Sequence, residues 1–198
     1  GMNLLKRDNI KLSEIDNYHL YPIADNETPQ LSADRLEYTL ANALFTYNLS
    51  SIDEIRKIYN DIYVGINENN ISELAFKNSL IAKKFILIMS QLSIIYVEDK
   101  TRYSMQLIAD IIKSMIDDGL ITKKDLYILK ESGVIEIIKK SKYANIYDIW
   151  EKATSVSVSK SQPSFVYFVH HASKIRYIDP LVIDKRISQI DLECKNKI

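Results

Sequence analysis

Two apolar rhythms near the middle of the chain leave the fewest options for its fold. Ile81, Phe85, Ile88, Leu92 and Ile95 step by four, three, four and three residues, the spacing that gathers side chains on one face of an α-helix. Met105, Ile108, Ile112 and Met115 repeat the rhythm. Each stripe needs a buried face, and the intervening VEDKTR segment is short enough for a helical hairpin or a kink. Only four glycines and four prolines occur in 198 residues, so few turns are forced and long helices are favoured. The most apolar run, residues 85–97, is broken by Ser and Gln and reads as too short to span a bilayer.

Shorter elements follow from local chemistry. Residues 5–17 read as helical turns and 17–29 as an irregular segment. Thr28 or Ser32 would cap the next helix, with Pro29 tolerated in its first turn. Ser51 and Glu54 have the capping-box spacing, which predicts a helix over about 52–62. Gly65 and three asparagines mark 63–74 as a loop or small hairpin. Gly119 would end the second long helix. Thr122 and Ser132 would open two shorter ones, and 143–153 supplies another. Trp150 reads as core there, and the thirteen tyrosines as half-buried packing residues with wet hydroxyls.

The character changes after residue 154. Segment 155–164 holds five serines in ten residues, and its Ser-Val alternation favours a short edge strand over a linker. Segments 165–171 and 174–183 are rich in β-branched and aromatic residues and predict a β-hairpin. The expected fold is mainly α: a helical region over 2–154, a small antiparallel hairpin or sheet over 155–190 packed on it as part of a single domain, and a tail over 191–198.

Bulk properties exclude some functions. Hydrophobic residues at 46% and charged residues at 26% describe a globular chain. The 26 basic residues balance the 26 acidic ones, which argues against nucleic acid or an anionic membrane as a partner. The single Cys194 cannot form an internal disulfide, consistent with a cytoplasmic protein. It lacks a neighbouring histidine or an electropositive helix start and does not read as a nucleophile. Gly1 ahead of Met2 reads as a cloning remnant, and no signal peptide is expected. No phosphate-binding glycine loop, GxSxG elbow or CxxC pair occurs.

One stretch carries chemistry. In LSADRLEYTLANAL, residues 31–44, a helix would place Asp34, Tyr38 and Asn42 on one stripe, with Arg35 beside it. Leu36, Leu40 and Leu44 (or Ala43) form the opposite, core-facing stripe. A carboxylate is a hard ligand for a divalent cation, and a neighbouring guanidinium fork can hold phosphate oxygens. A phenol one turn on can donate to phosphate, and an amide can bond a sugar hydroxyl. The bland alternative is an ordinary amphipathic helix, because an acid in the first turn is favoured by the helix dipole alone.

LSADRLEYTL resembles the final conserved segment of HD-domain phosphohydrolases, where an Asp-Arg-Leu-Asp/Glu-Tyr stretch on a helix supplies the last metal ligand. EDKTRYSMQLIADIIKSMIDDGLITKKDLY (98–127) and VHHASKIRYIDPLV (169–182) resemble the regions that follow in the deoxynucleotide triphosphohydrolase branch. The resemblance implies that Asp34 matches the last metal-binding aspartate. By it, Arg35, Tyr38 and Asn42, and more distantly Arg102, match contacts to phosphate or sugar. The family's upstream histidine and His-Asp doublet have no counterpart: His19, His170 and His171 are the only histidines and none precedes an aspartate. A lone carboxylate does not hold a hydrolytic metal.

Two other histidine arrangements deserve weighing. His170 and His171, if in a strand, point to opposite faces and would not chelate one ion. His19 with Asp16, Asp25 and Asp34 would be the only way to rebuild a site. The expectation is a partial HD-like protein, truncated in its core, without catalytic activity alone and with a structural or interaction role. It would act as a homo-oligomer or with an upstream HD-bearing chain. The alternative is a metal-dependent phosphohydrolase on nucleotides with a rebuilt or partner-completed site. A third reading is a helical domain that binds a nucleotide without turnover. No cofactor is expected, apart from a divalent metal (manganese, magnesium or iron) where a site is completed.

Overall fold

The structure, a computed structural model, describes residues 2–164, 166–170 and 177–198. The chain forms two compact units: Gly1–Ile94 together with Lys174–Ile198, and Ile95–Ser173. The second is thus inserted between the two segments of the first. This division differs from the expected helical region followed by a hairpin region, because the C-terminal strands pair with an earlier strand of the first unit. The fold is mainly α with a small sheet.

In the first unit, α1 (Met2–Arg7) is followed by irregular chain to α2 (Ala33–Ala41) and α3 (Ile52–Asp61). Ser32, not Thr28, caps α2, its hydroxyl accepting from Arg35 N at 3.3 Å; Pro29 lies ahead of the helix. Ser51 and Glu54 cap α3 reciprocally, as their spacing predicts: Ser51 N donates to Glu54 Oε2 and Glu54 N to Ser51 Oγ. Then come β1 (Ile62–Ile66), β2 (Ser72–Phe76) and α4 (Ser79–Val97). β1 and β2 make the small hairpin that 63–74 allowed, antiparallel with Val64 opposite Leu74. Gly65 is needed there: a Cβ would stand 3.1 Å from the Cβ of Ala75.

The rest of the sheet comes from the far end of the chain. β3 (Leu181–Val182) runs parallel to β2 through Ala75 and Phe76, and β4 (Lys185–Arg186) returns antiparallel to β3. The sheet is therefore mixed, not purely antiparallel. Ile183 turns this tight hairpin with φ 61°, a conformation β-branched residues rarely adopt; its N–H donates to Phe76 O and its carbonyl accepts from Tyr63 Oη. The short α8 (Ile187–Ile190) and α9 (Leu192–Lys195) end the chain, so the expected tail is partly helical, and Lys83 of α4 ties it down through Asp191 at 3.0 Å and Glu193 at 2.7 Å. The hairpin expected over 165–171 and 174–183 is not formed: 166–170 and 177–180 lie outside strands, and Phe165 and residues 171–176 fall outside the described residues. The Ser-Val segment 155–164 is extended and exposed but forms no strand.

The core of this unit gathers Leu36 and Leu40 of α2, Ile58 of α3, Phe76 of β2, Phe85 of α4 and Ile187, all nearly inaccessible. Phe76 and Phe85 meet with ring centroids 5.6 Å apart. α4 has 19 residues and is long and apolar enough by length and composition to cross a bilayer, so length alone does not exclude a span as the shorter run 85–97 suggested. In the fold, Ala82, Phe85, Ile86, Met89 and Leu92 are buried core residues.

The second unit packs α5 (Asp99–Asp117), α6 (Glu131–Lys139) and α7 (Ala144–Lys152) around Leu107, Ile111, Met115, Ile121, Ile138 and Tyr147. The buried stripe of α5 is Leu107–Ile111–Met115, stepping strictly by four. Met105 is 71% exposed, and Ile108 and Ile112 only flank the core, so the apolar rhythm has the right period and a shifted phase. Gly119 at φ 72° ends α5. Leu120 N bonds Met115 O and Gly119 N bonds Ile116 O, the paired closure that a left-handed glycine permits. Thr122 opens only a single turn, Asp125–Tyr127, through reciprocal bonds with Asp125.

A buried ionic hub joins the pieces of the first unit. Glu73, 0% exposed, accepts from Arg186 Nη1 at 2.7 Å, Arg186 Nη2 at 3.0 Å, Leu31 N at 3.0 Å and Asn67 Nδ2 at 3.2 Å. Arg186 also donates to Asp179 O and to both oxygens of Glu68. Arg186 holds the Glu68 carboxyl below the ordinary range, so that pair contributes at neutral pH and is lost on acidification. Glu73→Ala leaves a buried guanidinium without its main partner and should lower the unfolding free energy by about 3–5 kcal/mol. Glu68→Ala, at a largely exposed carboxylate, should cost less than about 1 kcal/mol. Urea titrations followed by far-UV circular dichroism compare the two, and equal losses would refute the hub.

Candidate functional site

The Asp34 helix is placed by its own first turn. Asp34 lies exposed next to the Ser32 cap, and its backbone N–H bonds Ala24 O at 3.1 Å. Tyr38 and Asn42 follow on the same stripe, both half-buried. At Asn42 the helix widens into a π-turn through Thr46, with Tyr47 N bonded to Asn42 O and Thr46 Oγ1 to Asn42 Oδ1. The extra residue completes the core stripe with Ala43, leaves Leu44 half-buried and turns Phe45 to solvent.

Arg35 points into the preceding loop. Its Nη1 donates to Asn26 Oδ1 and to Gln30 O at 3.1 Å, and its Nη2 to Asn26 O. Asp25 stands 3.9 Å away, with its side chain 47% exposed against 14% for Arg35. The acceptors surrounding the guanidinium are those of its own loop, so the fork that could hold phosphate serves as a brace. Asn26 is buried in turn and donates to Pro22 O and Leu31 O.

The other expected ligands do not assemble. His19 and Asp16 are exposed, and Asp25 is drawn to Arg35. Among the described residues no three His, Cys, Asp or Glu side chains come together. Arg102 belongs to the second unit, apart from the Asp34 helix. His170 is exposed and outside any strand; His171 falls outside the described residues. Cys194 is buried behind the α9 turn, where Asp191 Oδ1 caps its N–H.

A second feature was not foreseen from the sequence. A cavity of about 960 Å³ opens within the second unit between α5, α7 and the extended 153–170 segment. Leu107 and Tyr147 are its most buried lining residues. Two aromatic pairs line it: Tyr103 with Tyr167, edge to face at 5.7 Å, and Tyr147 with Trp150, tilted at 5.4 Å. Trp150 Nε1 donates to Ser104 Oγ at 2.9 Å and Tyr167 Oη to Asp110 Oδ2 at 2.7 Å. Burial, and then the Asp110 carboxylate, push the Tyr167 phenol above its ordinary range, so it is a donor at all working pH values. Arg102 lies half-buried in the lining, whereas Lys100 and His170 are exposed. The sequence signal was present but weak: Tyr103 with Leu107 and Tyr147 with Trp150 sit at helical spacing, which reads as packing.

Comparison of the chain with protein-family models, with curated proteins and with solved structures finds no match.

Arg35→Ala should cost about 1.5–3 kcal/mol, the range for lost hydrogen bonds to a charged donor. Asp34→Ala, which removes only a first-turn acid, should cost less than about 1 kcal/mol. Chemical denaturation of both variants reads the contrast. Burial also pushes the Cys194 thiol up to about 11, so at pH 8 roughly one molecule in a thousand carries the thiolate. The folded chain should resist Ellman's reagent and react once unfolded in urea; rapid stoichiometric labelling of the folded chain would contradict this placement.

Proposed function

We propose that this chain is a partial HD-like phosphohydrolase scaffold that has no hydrolytic activity alone and acts through structure or interaction. The observation that carries this reading is the engagement of Arg35 by the 25–31 loop. The residue that the family resemblance assigns to phosphate is used to hold the chain together. Asp34 remains as one exposed carboxylate, and a hydrolytic metal needs several protein ligands and an activated water. Tyr38 and Asn42 keep the family's stripe without a phosphate anchor beside them.

Exposed apolar side chains support an interaction role, with a second copy or an HD-bearing chain as the proposed partner. Phe45, at the end of the same helix, is 81% exposed. The exposure of Asp34 also favours the second reading, a metal-dependent phosphohydrolase of nucleotides completed by ligands from another chain. In that case manganese, magnesium or iron would sit between Asp34 and the partner's donors.

The chain alone should release no phosphate from nucleoside triphosphates in the presence of manganese, and Asp34→Ala should behave identically. Phosphate release is read colorimetrically and metal binding by calorimetry. Metal-dependent turnover abolished in Asp34→Ala would overturn the non-catalytic reading.

A further inference from the structure

We infer that the cavity of the second unit is a binding site for a small aromatic or apolar molecule carrying a single acidic group. Its volume of about 960 Å³ lies at the upper end of the range for small-molecule sites. The walls are fixed before any ligand arrives. The Trp150 indole is oriented by Ser104 and the Tyr167 phenol by Asp110. Each ring has its polar handle bonded, and both rings line the cavity. Buried Leu107 and Tyr147 add apolar surface. This is a surface for a flat or apolar body, which gains from burial and from ring-to-ring contact.

The acidic group is assigned from charge placement. Among the lining cations Arg102 is drawn half-way into the wall, one residue from Tyr103, whereas Lys100 and His170 lie exposed. A guanidinium presents a planar fork that matches a carboxylate or sulfonate. One inner cation suits one acid. A nucleoside triphosphate would bring several negative charges, and Asp99 and Glu151 also line the cavity, so their carboxylates would repel it.

The chain has a single tryptophan, and it lines this cavity, so its fluorescence reports occupancy. The probes are anilinonaphthalene sulfonate and phenylnaphthylamine, which share an aromatic body and differ in the acidic group. Both should bind the full chain saturably, one per chain, with energy transfer from Trp150. Arg102→Gln should weaken the sulfonate by about tenfold, the loss of one charge-assisted bond, and leave the neutral amine unchanged; Arg102→Lys should restore most of the affinity. Melting curves confirm that the variants fold. Non-saturable binding, or binding without transfer from Trp150, would overturn the site. Equal weakening of both probes by Arg102→Gln would overturn the assignment of the acidic group, because a purely structural arginine affects both alike.

Discussion

The guanidinium of Arg186 is buried against the inaccessible carboxylate of Glu73, and the first unit is arranged around that pair. Neither charge is tolerable alone in a low-dielectric interior; together they hold only because further donors and acceptors surround them. Those partners come from the loop before α2, the turn after β1, β2 itself and the C-terminal hairpin. Glu73 and Arg186 lie 113 residues apart in the chain. The pair therefore cannot form until the chain after the second unit returns to the sheet. Closing so long a loop costs entropy that grows only logarithmically with its length. An inserted segment that folds with its own core makes the return less costly than a disordered one.

The same network extends to the helix that invited a catalytic reading. Glu73 binds the N–H of Leu31, Leu31 O accepts from Asn26, and Asn26 accepts from Arg35. Two arginines thus fix the 25–35 segment from opposite ends, each with its fork turned on neighbouring backbone and side-chain oxygens. Adjacent Asp34 and Arg35 diverge because they occupy different positions around the first turn. The arginine faces the loop that the cap brings close, and the acid faces water. A motif defined by residue types at a spacing does not carry that distinction.

What could be read from the sequence was what depends on neighbours along the chain. Ser32, Ser51 and Gly119 end or begin helices through bonds spanning three to five residues, so local pattern places them. The period of α5 was legible but not its phase. Met105 and Leu107 are both apolar, and only contact with α6 and α7 decides that Leu107 is buried. Strand pairing was legible for β1 and β2, which meet across a turn, and misplaced for the C-terminal pair. β-propensity describes fitness for a half-buried pleated surface. It does not say that Val166 and Phe168 stay outside a sheet while Leu181 and Val182 join β2 in parallel. Glu73 and Arg186 gave no signal at all, since a charge reads as exposed until its distant partner is known.

A ligand site needs groups held in place and still turned toward the vacant space. The Asp34 helix meets only the first condition. Its arginine is rigid because its donors face protein acceptors, and that engagement leaves the exposed carboxylate without a cationic neighbour to share an anion. The cavity of the second unit meets both. A ring presents two kinds of surface, a polar edge that can be bonded and a face that cannot. Bonding Trp150 to Ser104 and Tyr167 to Asp110 uses the edges and fixes the rings without consuming the surface an apolar ligand would touch. In this chain a polar constellation is at risk of satisfying itself, and the aromatic wall is what remains available for recognition.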